Sequence, residues 1–459
     1  MKRYSSYIYS LLLLVVLVAC NKQLDLKPEG TMVEADLLKN KQTTESFLAD
    51  TYLRMMDACG GNMYLFADVT GNVVSSFDQA VVKGNVDPRD KNYDDLWRKP
   101  YMTINQANVI ITQLSRYATF DAGLQQRFIA EARFIRAFCH LILLQMYGDG
   151  ALQGKMNNKG IPLMLQSFDG YDGSQNKARN TNGEVYTQIL KDLDESIAVL
   201  PEKRTDPTDQ AGRATKGAAA ALAARVSLYM QDYAKAAAYA NTVLSAQGYA
   251  LQPSFVQLWP DHATGTGKYP LSTEIVFAFP ESFNATSYGS HGIYYAYGYY
   301  QPLPDFLARY EAQDERLTDL FTTTKQMRKF TDPKLMDNVN MIRLPEVMLT
   351  AAEALVQTNG VNVTSVDLLN KVYGRAYTKN PVPKVYTIAD FSSKQALIDR
   401  ILLERSRELA FEGFARFDAI RSGKQPNPQL PADRYAMPIP QREIDITGGL
   451  IVQNPGYTK

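Results

Sequence analysis

Histidine, cysteine and tryptophan are scarce in this 459-residue chain: three, three and two respectively. His140, His262 and His291 stand alone in sequence, with no H-E-x-x-H and no C-x-x-C, so the usual zinc spacings are missing. No Gly-rich phosphate loop, EF-hand pattern or G-x-S-x-G elbow appears either, and we expect no cofactor and no metal. Charge of one sign is also missing. Lysine and arginine total 49 against 48 acidic residues, for a net charge of +1, which argues against nucleic acid as a partner. No apolar run reaches eighteen residues, so no helix that crosses a membrane and stays there is expected.

The one concentrated apolar run is "LLLLVVLVA", Leu11 to Ala19, which stops at Cys20 and turns polar at once. Nine helical residues span about 14 Å, under half of a bilayer core. Lys2 and Arg3 ahead of the run and the small Ala19 before Cys20 read as a signal peptide over residues 1–19. Cys20 then becomes the first mature residue and the site of lipidation, the chain's only expected membrane anchor. Cys59 and Cys139 remain. Cys139, inside the apolar helical run "RFIRAFCHLILLQMY", reads as a small buried hydrophobe, and a Cys59–Cys139 bridge is the alternative in an exported chain.

Period-3.6 patterning predicts helices over 95–117 and 124–147, and a second pair beginning near Asn182 and resuming at Thr215. In "GAAAALAARVSLYMQDYAKAAAYANTVLS" two helices meet at Gln231 and Asp232. Ala224, Ala236 and Ala240 have the spacing of a tetratricopeptide repeat, whose small residues let antiparallel helices pack closely. "LPEVMLTAAEALVQTNGVNVTSVDLLNKVYGRA" repeats the plan around Asn359-Gly360. The expected fold is mostly α: a tetratricopeptide-like helix-pair scaffold, one domain over 20–459, with a few short strands such as "EIVFAFP". Two irregular, loop-rich insertions, about 57–94 and 253–333, are where function is sought, since long connections in compact proteins are usually functional or disordered. The second holds "SYGSHGIYYAYGYYQPLP", too aromatic for disorder.

Glu404, Glu408 and Glu412 lie four apart, as a pair of catalytic carboxylates could. Arg407 three after Glu404 and Arg416 four after Glu412 favour a structural ion-pair helix instead.

"ERSRELAFEGFARFDAIRSGK" (404–424) and "AMPIPQREIDITGGLIVQNPGY" (436–457) resemble the C-terminal signatures of SusD/RagB-family lipoproteins. "CNKQLDLKPEG", "LWRKPYMTINQANVII", "EARFIRAFCHLILLQMYGD" and "MIRLPEVMLTAAEAL" extend the resemblance over most of 20–459. The resemblance implies a SusD-like fold with four tetratricopeptide-like units and an irregular ligand-binding part. It also implies a lipid-anchored, non-enzymatic protein on the outer face of the outer membrane. Such a protein captures oligosaccharides, or in some members peptides, and delivers them to a TonB-dependent SusC-like transporter. An α-helical surface glycosidase is the more distant alternative. Glycan binders of this family often present a tryptophan platform, and this chain has only Trp97 and Trp259.

Tyrosine can fill that role with a flat face and a polar tip. Tyr295, Tyr297 and Tyr299 alternate, so an extended backbone puts their rings on one face and Tyr294 and Tyr300 on the other. One of these faces can equally pack on the scaffold. From the first insertion, by resemblance, Asp68, Asn72 and Phe77 are candidate ligand contacts. Trp97 is a candidate too, although a tryptophan opening a helix ahead of Tyr101 is more often core.

Overall fold

The computed structural model describes residues 34–168, 170, 173, 175–255, 258, 271–280, 300–319, 321, 327, 329 and 338–457, without the side chain at position 62. Helices run α1 Glu34–Lys39, α2 Lys41–Cys59, α3 Gly61–Thr70, α4 Gln79–Val82, α5 Asp94–Tyr117, α6 Ala122–Tyr147, α7 Asn182–Ile197, α8 Pro207–Gly212, α9 Lys216–Tyr229 and α10 Tyr233–Leu244. After strand β1 (Ile275–Phe279) come α11 Pro304–Leu307, α12 Glu315–Asp319 and strand β2 (Val339–Arg343). Then follow α13 Leu344–Asn359, α14 Val363–Gly374, α15 Lys394–Glu408, α16 Ala415–Arg421 and α17 Gln441–Ile446.

The scaffold is a row in which α5, α6, α7, α9, α10, α13 and α14 each pack on the next. Its helices begin where side chains answer the free backbone N–H groups. Asp121, Thr215, Asp232 and Asn362 cap α6, α9, α10 and α14, and Thr181 with Glu184 forms a capping box on α7. Helix α9 is buried from Gly217 to Tyr229, with no polar face. A helix enclosed on all sides needs small residues to let its neighbours approach, which is what its alanines supply. Ala224, Ala236 and Ala240 are buried at the α9–α10 contact, as the repeat spacing predicts. The expected strand is present: β1 pairs antiparallel with β2, Ile275 opposite Arg343 and Phe279 opposite Val339. Cys59 and Cys139 are free thiols with sulfurs 3.8 Å apart in the core.

The insertion at 57–94 is less irregular than its composition suggests. Gly61–Thr70 forms α3, because Met63, Tyr64, Leu65, Phe66, Ala67 and Val69 are all buried. Burial on every side overrides a sequence with a glycine start and little amphipathic rhythm. The insertion at 253–333 likewise contains β1, α11 and α12.

A second departure concerns the glutamate helix. Helix α15 stops at Glu408, and Phe411 (φ 64°) and Gly413 (φ 79°) turn the chain before α16. Glu412 therefore leaves the helical face, and its carboxylate pairs with Arg343 and Lys329 instead of Arg416. Arg416 points away, donating to the carbonyls of Arg434 and Tyr435 and lying over the Phe66 ring. A Cβ on Gly413 would sit 2.7 Å from Tyr64 Cδ1 at a left-handed backbone position. Gly413→Ala is expected to cost about 1–3 kcal/mol, read from the urea midpoint.

Candidate functional site

The surface site is built where the two insertions meet. Helix α3 ends at Thr70, and Asn72 turns the chain at φ 58°, a left-handed conformation asparagine tolerates better than most residues. The backbone then runs antiparallel to residues 300–303. Leu303 N–H donates to the Val73 carbonyl and Ser75 N–H to that of Gln301, both at 2.9 Å, and Val74 bridges Pro302. Val73, Val74 and Pro302 face the core, while Ser75, Phe77 and Asp78 face solvent.

Phe77 is 84% exposed. Its loop is nonetheless fixed at both ends. Ser76 Oγ accepts from Asp78 N–H, and Asp78 Oδ1 caps α4 by accepting from Ala80 and Val81 N–H. The Tyr93 hydroxyl donates to the other Asp78 oxygen. Burial, that bond and the nearby Asp90 and Tyr300 push the Tyr93 hydroxyl far above the usual phenol range, so it stays a neutral donor. Tyr300 is half-buried against the core beside this loop. The arrangement offers an apolar ring on a braced loop, ringed by Ser75, Asp78, Tyr93 and Gln301, groups able to bond hydroxyls.

Three of the sequence candidates thus fall in this region, and two do not serve as surface groups. Phe77, Tyr300 and Asn72 come together at the loop, Asn72 as the turn. Asp68 is 1% exposed because its position on α3 faces the interior. Trp97 is 3% exposed, wedged between Tyr101 and Tyr147 with ring centroids 5.0 and 4.9 Å away, the second contact edge-on. Asp68 is therefore corrected from a surface contact to a core residue, and Trp97 is a largely buried ring packed between Tyr101 and Tyr147. Cys20, Tyr294, Tyr295, Tyr297, Tyr299 and Trp259 lie outside the described residues. Tyr93 and Asp78 were missed, since neither belongs to a motif; only the S-x-D start of α4 could have marked Asp78.

The glutamate ladder is not a catalytic cleft. Glu404 and Glu408 are fully buried and Glu412 nearly so. Arg316 binds Asp314 and Glu404, and Arg375 and Arg343 both reach Glu274 and Glu408. Burial alone would raise Glu408. The Arg375, Arg343 and Arg316 guanidiniums outweigh it and hold the carboxyl well below its usual range. Among the described residues there is no cluster of three metal-ligating side chains and no helix long and apolar enough to cross a membrane.

A row of stacked helix pairs carrying a braced aromatic loop defines a helical-repeat protein with a solvent-facing insertion. Known families fit that class. A family model described as "Starch-binding associating with outer membrane" matches residues 23–228, and the "SusD family" model matches 306–428. SusD-like protein P2 of Formosa agariphila is 24% identical over 531 residues, covering all of both chains. A solved putative sugar-binding protein from Bacteroides vulgatus superposes with a TM-score of 0.74 at 24% identity, over 92% of this chain and 99% of its own. A laminarin-binding SusD-like protein gives 0.71 at 25% identity, over 91% and 100%. The chain belongs to the SusD/RagB family, and its mostly helical fold is that of SusD-superfamily structures.

Proposed function

We propose that this protein captures oligosaccharides at the cell surface and passes them to a TonB-dependent SusC-like transporter, held at the outer membrane by lipid on Cys20. The observation that carries the reading is Phe77, an aromatic ring 84% exposed on a loop held by hydrogen bonds through Ser76 and Asp78. Bracing the loop lowers the entropy cost of ordering its backbone on binding. Sugars present C–H faces to rings and hydroxyls to the polar rim, and this loop has both. The families matched, with their starch-binding description and a laminarin-binding relative, point to the same ligand class. Binding without chemistry fits the burial of Glu404, Glu408 and Glu412.

The test is an affinity-gel panel of the mature chain with laminarin, soluble starch and xyloglucan, run beside a peptide library and with product analysis of every mixture. Retardation by a glycan with no product supports capture. Peptide binding alone would move the protein to peptide uptake, and released sugars would make it a glycosidase.

A further inference from the structure

A groove of about 770 Å3 contains nothing from the Phe77 loop or residues 300–303. It lies between α5, the segment 162–168 and α17. Its volume is that of a small-molecule site. Trp97 and Tyr101 form its floor.

The segment 162–168 has no regular structure, yet α5 holds it residue by residue. Tyr101 Oη donates to the Pro162 carbonyl (2.9 Å), and Asn108 Nδ2 to those of Met164 and Gln166 (2.9 and 3.0 Å). Asn105 Oδ1 accepts from Phe168 N–H (2.7 Å), and Ser167 Oγ bonds Thr112. Asn108 is itself fixed by Arg136, which clasps Asp192 with two bonds of 2.8 and 2.6 Å. All this order ends in a Phe168 ring that is 49% exposed, facing a groove whose rim also shows Met102 and Ile446, 43% and 50% exposed.

The polar lining mixes amides with charged and hydroxyl side chains. Gln106 is the telling member: its Nε2 donates to Asp50 Oδ2 (3.1 Å), while its Oε1 is buried with no hydrogen-bond partner. A buried acceptor left unmet costs free energy that a hydroxyl donor would recover. Arg54 pairs with Asp50 (2.9 Å) and Arg98 with Asp95 (2.5 Å), while Lys177, Arg442 and Glu443 also line the groove.

The geometry points to this groove as a second binding site for an oligosaccharide, with Phe168 as the platform and Gln106 as a hydroxyl acceptor. This rests on the reading that the protein binds glycans and adds a second place where it does so. Two sites on one chain raise the avidity for a long polymer well above that of either alone.

The test is calorimetry of the mature chain with a laminarin-derived and a starch-derived oligosaccharide, using Phe168→Ala, Ile446→Ala and Phe77→Ala, each checked by circular dichroism. Both groove positions are surface-exposed, so at least one variant is expected to fold. The expected result is two binding events, one weakened about tenfold or more by the groove variants and untouched by Phe77→Ala. A single event indifferent to the groove variants overturns the second site and leaves the capture reading standing. No glycan binding by the unmodified chain overturns both. Peptide binding lost in Phe168→Ala would overturn the oligosaccharide assignment and make the groove a peptide site.

Discussion

Arg343→Ala is expected to destabilise the protein by about 3–5 kcal/mol, enough to leave little folded chain in mild urea. Arg343 is fully buried at the end of β2. Its guanidinium spans Glu412 (2.7 and 2.8 Å), Glu274 (2.8 Å), Glu408 Oε1 (2.8 Å) and the Glu408 carbonyl (2.9 Å). Removing it leaves three carboxylates in the core with one cation fewer, and the remaining Arg375, Arg316 and Lys329 already have partners. The cost comes from the uncompensated buried charge, not from the ion pair's own attraction. Lys424→Ala is the control. It breaks an exposed 3.0 Å pair with Asp399 and should cost under about 1 kcal/mol. Urea unfolding at pH 7 followed by circular dichroism reads both. A loss under 1 kcal/mol for Arg343→Ala would mean the network is not assembled as described.

The second large effect is acid sensitivity. His140 is fully buried in α6 with neither ring nitrogen hydrogen-bonded. Burial, aided by the Arg136 charge, lowers its pKa from 6.5 to about 3. The folded state thus resists protonation that the unfolded chain accepts. Stability from this group is complete above pH 6.5, falls as the pH drops below it, and is gone below about 3. The fall is on the order of 4–5 kcal/mol. Glu408 acts in the same direction but lower, because its depressed carboxyl loses stability only as the pH falls below the ordinary glutamate value of 4.5. His140→Leu should therefore flatten the stability profile between pH 6.5 and 4.5 while leaving the steeper loss beneath. It should cost little at pH 7, where it replaces an unmet imidazole with a side chain that needs no partner. An unchanged profile would mean that protons reach His140 in the folded protein.

Much of the scaffold was legible because it is written locally. Ala224, Ala236 and Ala240 set the helix contact by spacing, Asn359-Gly360 marks a turn, and "EIVFAFP" announces β1 by its β-branched and aromatic run. What escaped is written across distance. Arg316, Lys329, Arg343 and Arg375 come from four separate stretches to meet glutamates on α15 and its end, and pairing rules for one helix could propose only Arg407 and Arg416. Arg407 does lie 4.0 Å from Glu404, although its closer partner is Glu311 at 3.2 Å. The Arg416 pairing failed because Phe411 and Gly413 interrupt the helical phase. At the site, the joining of the two insertions followed from the family resemblance. Phe77 and Trp97 have similar aromatic chemistry in the sequence, and only tertiary packing separates the exposed ring from the core one. Phe168 gave no signal, since "PLMLQSF" reads as a connector until α5 is seen holding it.

Glycan capture by this protein depends on the exposed ring of the 71–78 loop. Calorimetry of Phe77→Ala beside the unmodified mature chain, with whichever of laminarin, starch or xyloglucan the gel panel retains, tests it most directly. The expected result is an affinity loss of about tenfold or more with an unchanged circular dichroism spectrum and unfolding midpoint. Equal affinities in the two proteins would contradict it.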